Sequence, residues 1–161
     1  MTDSPVAPRA HRFGLPVLAI YALGALAAAR GVLHDLGIIQ EGEPLNLVLV
    51  VVPLVVWIVV AAVFSTRPFV SLLAAGVVYG VLLALTHIVL WDANITISGV
   101  EPPALGGNLE GVLPGWIEAV LLRGAAALSS IVVGVVVGAA TGLVAWGARS
   151  AARRLRGVGA N

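Results

Sequence analysis

Four long apolar runs constrain the fold of this chain more than any other feature of its sequence. A helix needs roughly 20 apolar residues to cross the hydrocarbon core of a bilayer. Stretches of this length lie at about 13–36, 45–64, 68–91 and 116–146. Charged residues make up 11% of the chain, less than half of the roughly 25% usual in soluble domains. The sequence therefore predicts an all-α integral membrane protein, a four-transmembrane-helix bundle over 13–147 with no separate soluble domain.

Arginine is unevenly distributed between the two ends of these spans. All nine basic residues are arginine, and seven of them fall in the N-terminal tail 1–12, the turn 65–67 or the C-terminal tail 148–161. The seven are Arg9, Arg12, Arg67, Arg149, Arg153, Arg154 and Arg156. By the positive-inside rule both termini are cytoplasmic and the outer loop 92–115 faces outward. The absence of lysine is typical of GC-rich coding, so we expect the cytoplasmic membrane of a bacterium.

Small residues recur at helical spacing in the predicted spans. In lipid, where apolar surfaces gain nothing by leaving the solvent, such stripes let helix backbones approach closely and drive association. The third and fourth spans contain GxxxG patterns, and we expect helix packing at Gly76, Gly80, Gly134, Gly138 and Gly142. The packing can lie within the bundle or between this chain and a partner.

Each span carries one polar residue near its outer end, on the face expected to point inward. These four candidate ligand-binding residues are Asp35, Asn46, His87 and Arg123. An unpaired arginine inside a membrane costs at least about 2.5 kcal/mol, so we expect an ion pair between Arg123 and Asp35. Glu118, on another face of the same helix, is the second expected partner. Three residues lie at the periphery of this site: Arg30, His34 and Glu118.

These polar residues allow two interpretations. They either fix the register of the helices, or they line a pocket that binds or transports a polar or anionic head group. The leading functional hypothesis is the pocket, open to the outer leaflet, with Arg123 as the anion partner and with Asp35 and His87 tuning its charge. The competing hypothesis is a non-catalytic accessory or assembly subunit, whose glycine face docks a partner. A homodimer or a larger membrane complex is compatible with both.

The sequence contains no catalytic motif, so we expect no enzymatic activity. It has no cysteine, which excludes disulfides and thiolate chemistry, and neither GxSxG nor HExxH occurs. Ser130 is expected to hydrogen-bond within the helices. No cofactor or metal is predicted. The alternative is a haem between His34 and His87, or a metal held by these residues with Asp35 and Asp92.

Three further segments have alternative interpretations. The first span with its alanines at 27–29 resembles a signal peptide, although the helical pattern continues past them. The glycine-rich part of the outer loop is either a lid or contact surface, or a mobile connection. The C-terminal arginines are expected to anchor to anionic lipids of the bilayer. No nucleic-acid binding is expected, because no aromatic residue is interleaved with them.

Overall fold

The computed structural model describes residues 12–40, 42–97 and 112–158. This part is helical and contains no strand. Its helices are α1 (Val17–Asp35), α2 (Pro44–Phe64), α3 (Pro68–Val89), α4 (Trp91–Ile97) and α5 (Gly115–Val158). All of these except α4 are long and apolar enough to cross a membrane, as predicted. The N-terminal tail to residue 11, Glu41 and the glycine-rich part of the outer loop at 98–111 lie outside the described residues.

The start of α1 differs from the prediction. The helix begins at Val17 and not near 13, because the residues before it dock against the turn between α2 and α3. The carbonyl oxygen of Phe13 accepts a hydrogen bond of 2.6 Å from the Ser71 hydroxyl. Gly14 has a φ of +88°, and a Cβ there would lie 2.6 Å from the backbone nitrogen of Arg67. The turn thus requires glycine at this position.

The end of α5 also differs from the prediction. Its 44 residues extend about 66 Å at about 1.5 Å per residue, roughly twice the thickness of the hydrocarbon core. The helix continues to Val158, beyond the end of the predicted membrane span near Trp146. Hydropathy marks where a helix leaves the apolar layer, whereas alanine and arginine, which follow Trp146, both favour continued helix.

α3 and α5 pack through glycine. A Cβ added to Gly134 would lie 2.6 Å from the backbone nitrogen of Gly80, and one added to Gly142 would lie 3.0 Å from the carbonyl oxygen of Phe69. These contacts run in opposite order along the two helices, so α3 and α5 are antiparallel. All five glycines expected at packing positions lie in this contact: Gly76, Gly80, Gly134, Gly138 and Gly142.

α1 packs against a different face of α3. Gly24 faces Val78 and Gly31 faces Leu83, so contacts run in the same order and the two helices are parallel. α1 and α5 have little direct contact with each other. α3 therefore separates much of α1 from α5.

Trp57 connects α2 to two other helices. Its side chain is fully buried, and its Nε1 donates a hydrogen bond of 2.8 Å to the carbonyl oxygen of Leu23 on α1. Its ring meets that of Tyr79 on α3 edge-on, with 6.2 Å between the ring centroids. Trp57 therefore holds α1, α2 and α3 together where the three helices meet.

The helix directions give the molecule two chemically different ends. At the acidic end α1 and α3 finish and α2 and α5 begin, and the described acids there are Asp35, Glu43, Asp92 and Glu118. At the opposite, arginine end lie Arg12, Arg67, Arg149, Arg153, Arg154 and Arg156.

Candidate functional site

The candidate site at the acidic end contains the four polar residues predicted from the sequence, but as separate pairs. Asp35 and Asn46 lie at the ends of α1 and α2, and His87 and Arg123 lie in the parts of α3 and α5 nearest the acidic end. The contacts join Asp35 to histidines, Asn46 to Arg30, and Arg123 to Asp92. The four residues therefore lie at the same end of the molecule, where Asp35 and His87 contact each other and Asn46 and Arg123 have other partners.

Asp35 is the buried centre of the first group. Its side chain has no exposed surface. One carboxylate oxygen is 2.7 Å from Nδ1 of His87, and the other is 3.5 Å from Nδ1 of His34. The two histidines are each more than two-thirds buried. The group forms because the small residues at Gly24 and Gly31 bring α1 close to the parallel α3, whose last turn carries His87.

Arg30 and Asn46 form the second pair. The guanidinium Nε of Arg30 donates a hydrogen bond of 2.7 Å to the Asn46 side-chain oxygen. Among the described residues no carboxylate lies within 4.0 Å of Arg30. The sequence placed Arg30 at the periphery. Its importance follows from the antiparallel course of α1 and α2, which places Arg30 opposite Asn46.

A cavity of about 100 Å³ adjoins this pair. Its walls come from α1, α2, α3 and α5, and they include Arg30, Tyr79 and Pro53. Pro53 lies inside α2, where its missing N–H leaves a carbonyl one turn earlier without its helical partner. The cavity therefore combines apolar walls with a cation and a phenol.

Arg123 does not pair with Asp35, its expected partner. Its Nη2 lies 3.5 Å from Oδ1 of Asp92, and its guanidinium lies over the Trp91 ring, 5.5 Å from the centroid. The reason for the difference is that α3 lies between much of α1 and α5, and that α4 supplies a nearer carboxylate. Glu118, the second expected partner, makes no ion pair with Arg123 in the described structure.

The contact between Arg123 and Asp92 leaves both groups accessible. The Asp92 side chain is 89% exposed and that of Arg123 is 41% exposed, so this ion pair is worth little. The Nε of Arg123 is buried and has no hydrogen-bond partner. Arg123 can therefore bind an anion at the acidic end without losing a strong contact.

A larger groove of about 440 Å³ lies between α1 and α3. Alanine, valine and leucine dominate its walls, and Thr86 is the single polar residue among the described residues that line it. It contains neither Arg30 nor Arg123. The two arginines thus lie elsewhere: Arg30 lines the smaller cavity, and Arg123 lies beside α4.

The histidines both direct Nδ1 toward the same carboxylate. Within the described residues no group of three or more His, Cys, Asp or Glu side chains is arranged to hold a metal ion. Asp92, one of the suggested metal ligands, contacts Arg123 instead.

The Ser130 hydroxyl donates to the carbonyl oxygen of Ala126 in its own helix, at 2.8 Å.

Comparison with models of known protein families, with curated proteins and with solved structures finds no match. The function of the site must therefore be inferred from the contacts of its own residues.

A double-mutant cycle measures the pairing directly. We expect Asp35→Leu and His87→Leu to be coupled by about 1.5 kcal/mol, near the upper limit for hydrogen bonds inside membranes. The matched cycle of Asp35→Leu with Arg123→Leu should give a coupling within about 0.5 kcal/mol of zero. The free energies come from unfolding in mixed micelles followed by circular dichroism. A larger coupling to Arg123 than to His87 would contradict the arrangement.

Proposed function

We propose that the protein is a four-helix bundle in the cytoplasmic membrane of a bacterium, with both termini in the cytoplasm. The arginine distribution supports this orientation, because arginine is retained on the cytoplasmic side. Contacts support a common side for the three basic segments. Phe13 near the start of α1 bonds to Ser71 at the start of α3, and Arg149 of α5 donates to the carbonyl oxygen of Ser65 in the intervening turn.

We propose that this protein binds a polar or anionic head group in a pocket at the acidic end. The observation that carries the proposal is Arg30, a cation within a predicted span that faces a cavity and has no carboxylate within 4.0 Å among the described residues. A charge at such a depth is costly unless it is compensated. An anion in the cavity or at its mouth provides that compensation.

The remaining polar residues have distinct roles in this proposal. Arg123 does not line the cavity, but it lies at the same end, accessible and held by one long ion pair beside Trp91, and we assign it the first contact with the ligand. Asp35 stabilises His87 and His34 and so leaves the two arginines to the ligand. Asn46 orients Arg30. All of these roles are binding roles, so we propose that the protein is not an enzyme.

The glycine stripe favours binding over the alternative of an accessory subunit. That alternative used the glycine face of α5 as a docking surface for a partner or a second copy. In the fold this face packs against α3 of the same chain. A homodimer or a larger complex would need another surface.

The test is native mass spectrometry of the full-length protein released from its own membranes in mild detergent. We expect an additional mass of ligand size in the unmodified protein. Arg30→Gln should lower its occupancy about tenfold or more, the effect of losing a charge-assisted hydrogen bond. Glutamine can still donate to Asn46, so the helices should remain folded.

Arg123→Gln should also lower the occupancy of this ligand, whereas Arg154→Gln, at the opposite end, should leave it unchanged. A folded Arg30→Gln protein with undiminished ligand would exclude the proposed pocket. A bare chain, or a chain that carries only other proteins, would favour the accessory subunit.

A further inference from the structure

Two cavities flank α5 at the arginine end. The first, of about 380 Å³, lies between α5 and the last turn of α2, and it is lined by Arg149, Arg153 and Arg156. The second, of about 310 Å³, lies between α5 and the start of α3, and it is lined by Arg67, Arg149 and Arg153. Arg149 and Arg153 thus contribute to both cavities.

Arg149 is a fixed part of this region. Its Nη1 donates to the carbonyl oxygens of Ala62 and Ser65, which belong to the end of α2, where carbonyl groups lack helical partners. The positive charge is also favourable at this helix C-terminus. Its Nε is buried without a hydrogen-bond partner. Arg149 is therefore held in position independently of any ligand.

Within the described part of the chain, no acid compensates the charge of this arginine cluster. The described carboxylates lie at the acidic end, and among the described residues none forms an ion pair with Arg67, Arg149, Arg153 or Arg156. Like charges gathered around shared cavities repel one another, so an anion stabilises the arrangement. Phe69 and the 57% exposed Trp146 stand beside the arginines in the second cavity. The walls thus offer guanidinium groups next to apolar surface.

We infer that the arginine end contains a specific site for the phosphate head group of an anionic phospholipid in the adjoining leaflet. Guanidinium groups match phosphate oxygens in geometry and charge. The neighbouring aromatic surface suits the glycerol and acyl part of a lipid, which favours a lipid over free phosphate. Arg153 is central because it lines both cavities. This site is independent of the proposed pocket at the acidic end.

A specific site differs measurably from diffuse attraction of a basic tail to an anionic surface. Diffuse attraction contributes similarly for each arginine near the surface, which corresponds to about a fivefold change in affinity per residue. It therefore treats Arg153 and Arg154 alike. Arg154 is adjacent in sequence and, like Arg153, exposed, but it lines neither of the two cavities. The two positions form a matched pair.

The experiment is a titration of the full-length, delipidated protein in detergent with phosphatidylglycerol, read by native mass spectrometry. We expect Arg153→Gln to weaken the first lipid-binding step about tenfold or more, and Arg154→Gln to weaken it no more than about fivefold. Both side chains are exposed, so both variants should fold, which circular dichroism checks.

Three results would overturn the inference. Equal losses in the two variants would mean diffuse attraction. Binding of zwitterionic phosphatidylcholine as tight as that of phosphatidylglycerol would mean that the charge of the head group is not recognised. Displacement of the lipid by inorganic phosphate would assign the cavities to a free anion.

Discussion

Gly138→Leu is expected to unfold the single chain and not merely to dissociate an assembly of chains. A Cβ at this position would lie 2.6 Å from the carbonyl oxygen of Leu72 and 2.9 Å from Cα of Gly76. Both neighbours are backbone atoms, so relief requires α3 and α5 to separate along their whole contact. Overpacking of this kind costs on the order of 3 kcal/mol or more. The loss should appear in the unfolding free energy measured in mixed micelles by circular dichroism.

Gly124→Leu is the matched control on the same helix. A Cβ at Gly124 meets nothing within 4 Å, so this variant should be as stable as the unmodified protein. Size-exclusion chromatography with light scattering should accompany the unfolding curves. If Gly138→Leu remained folded but changed the mass of an assembly, the stripe would be an interface between chains, and the packing of α3 on α5 would be wrong.

Trp57→Ala is expected to destabilise the fold by about 3–5 kcal/mol, the usual cost of truncating a buried tryptophan. The substitution leaves a cavity among α1, α2 and α3. It also removes the hydrogen bond to Leu23 and the ring contact with Tyr79. Because α2 packs less extensively than α3, the loss should release α2 first.

The same substitution at Trp116, whose side chain is 71% exposed, serves as the control and should cost far less. Trp57→Phe separates packing from hydrogen bonding, since it keeps most of the volume but removes the donor. Comparable losses for Trp57→Ala and Trp116→Ala would show that Trp57 does not hold the three helices together.

The acidic end shows how far periodicity can predict a site. Positions along each predicted helix placed Asp35, His87 and Arg123 at similar depth, and the structure places them at the same end. Asp35 and Arg123 do not form the expected ion pair, because the position of a residue along its helix does not determine which helices are neighbours. Arg30 was assigned to the periphery for the same reason, since its partner Asn46 lies on another helix.

The short helix α4 was the other missing element. Its seven residues are too few to show an amphipathic period, so the sequence read Asp92 as the beginning of the outer loop. Once α4 forms, Trp91 and Asp92 lie beside the N-terminal part of α5 and contact Arg123. No apolar pattern within the chain predicts this contact.

The sequence by itself determined the four apolar helices, the separation of arginines from acids and the glycine positions at which backbones can approach. These properties depend on the composition and spacing of residues within single helices, because the length needed to cross a bilayer and the helical period are both properties of one segment. The tertiary structure alone decided that α5 packs on α3, that α1 lies parallel to α3, and hence that Asp35 meets His87. Which helices become neighbours depends on how well side chains from distant segments fit together. In lipid the hydrophobic effect does not drive helices together, so this packing decides the arrangement.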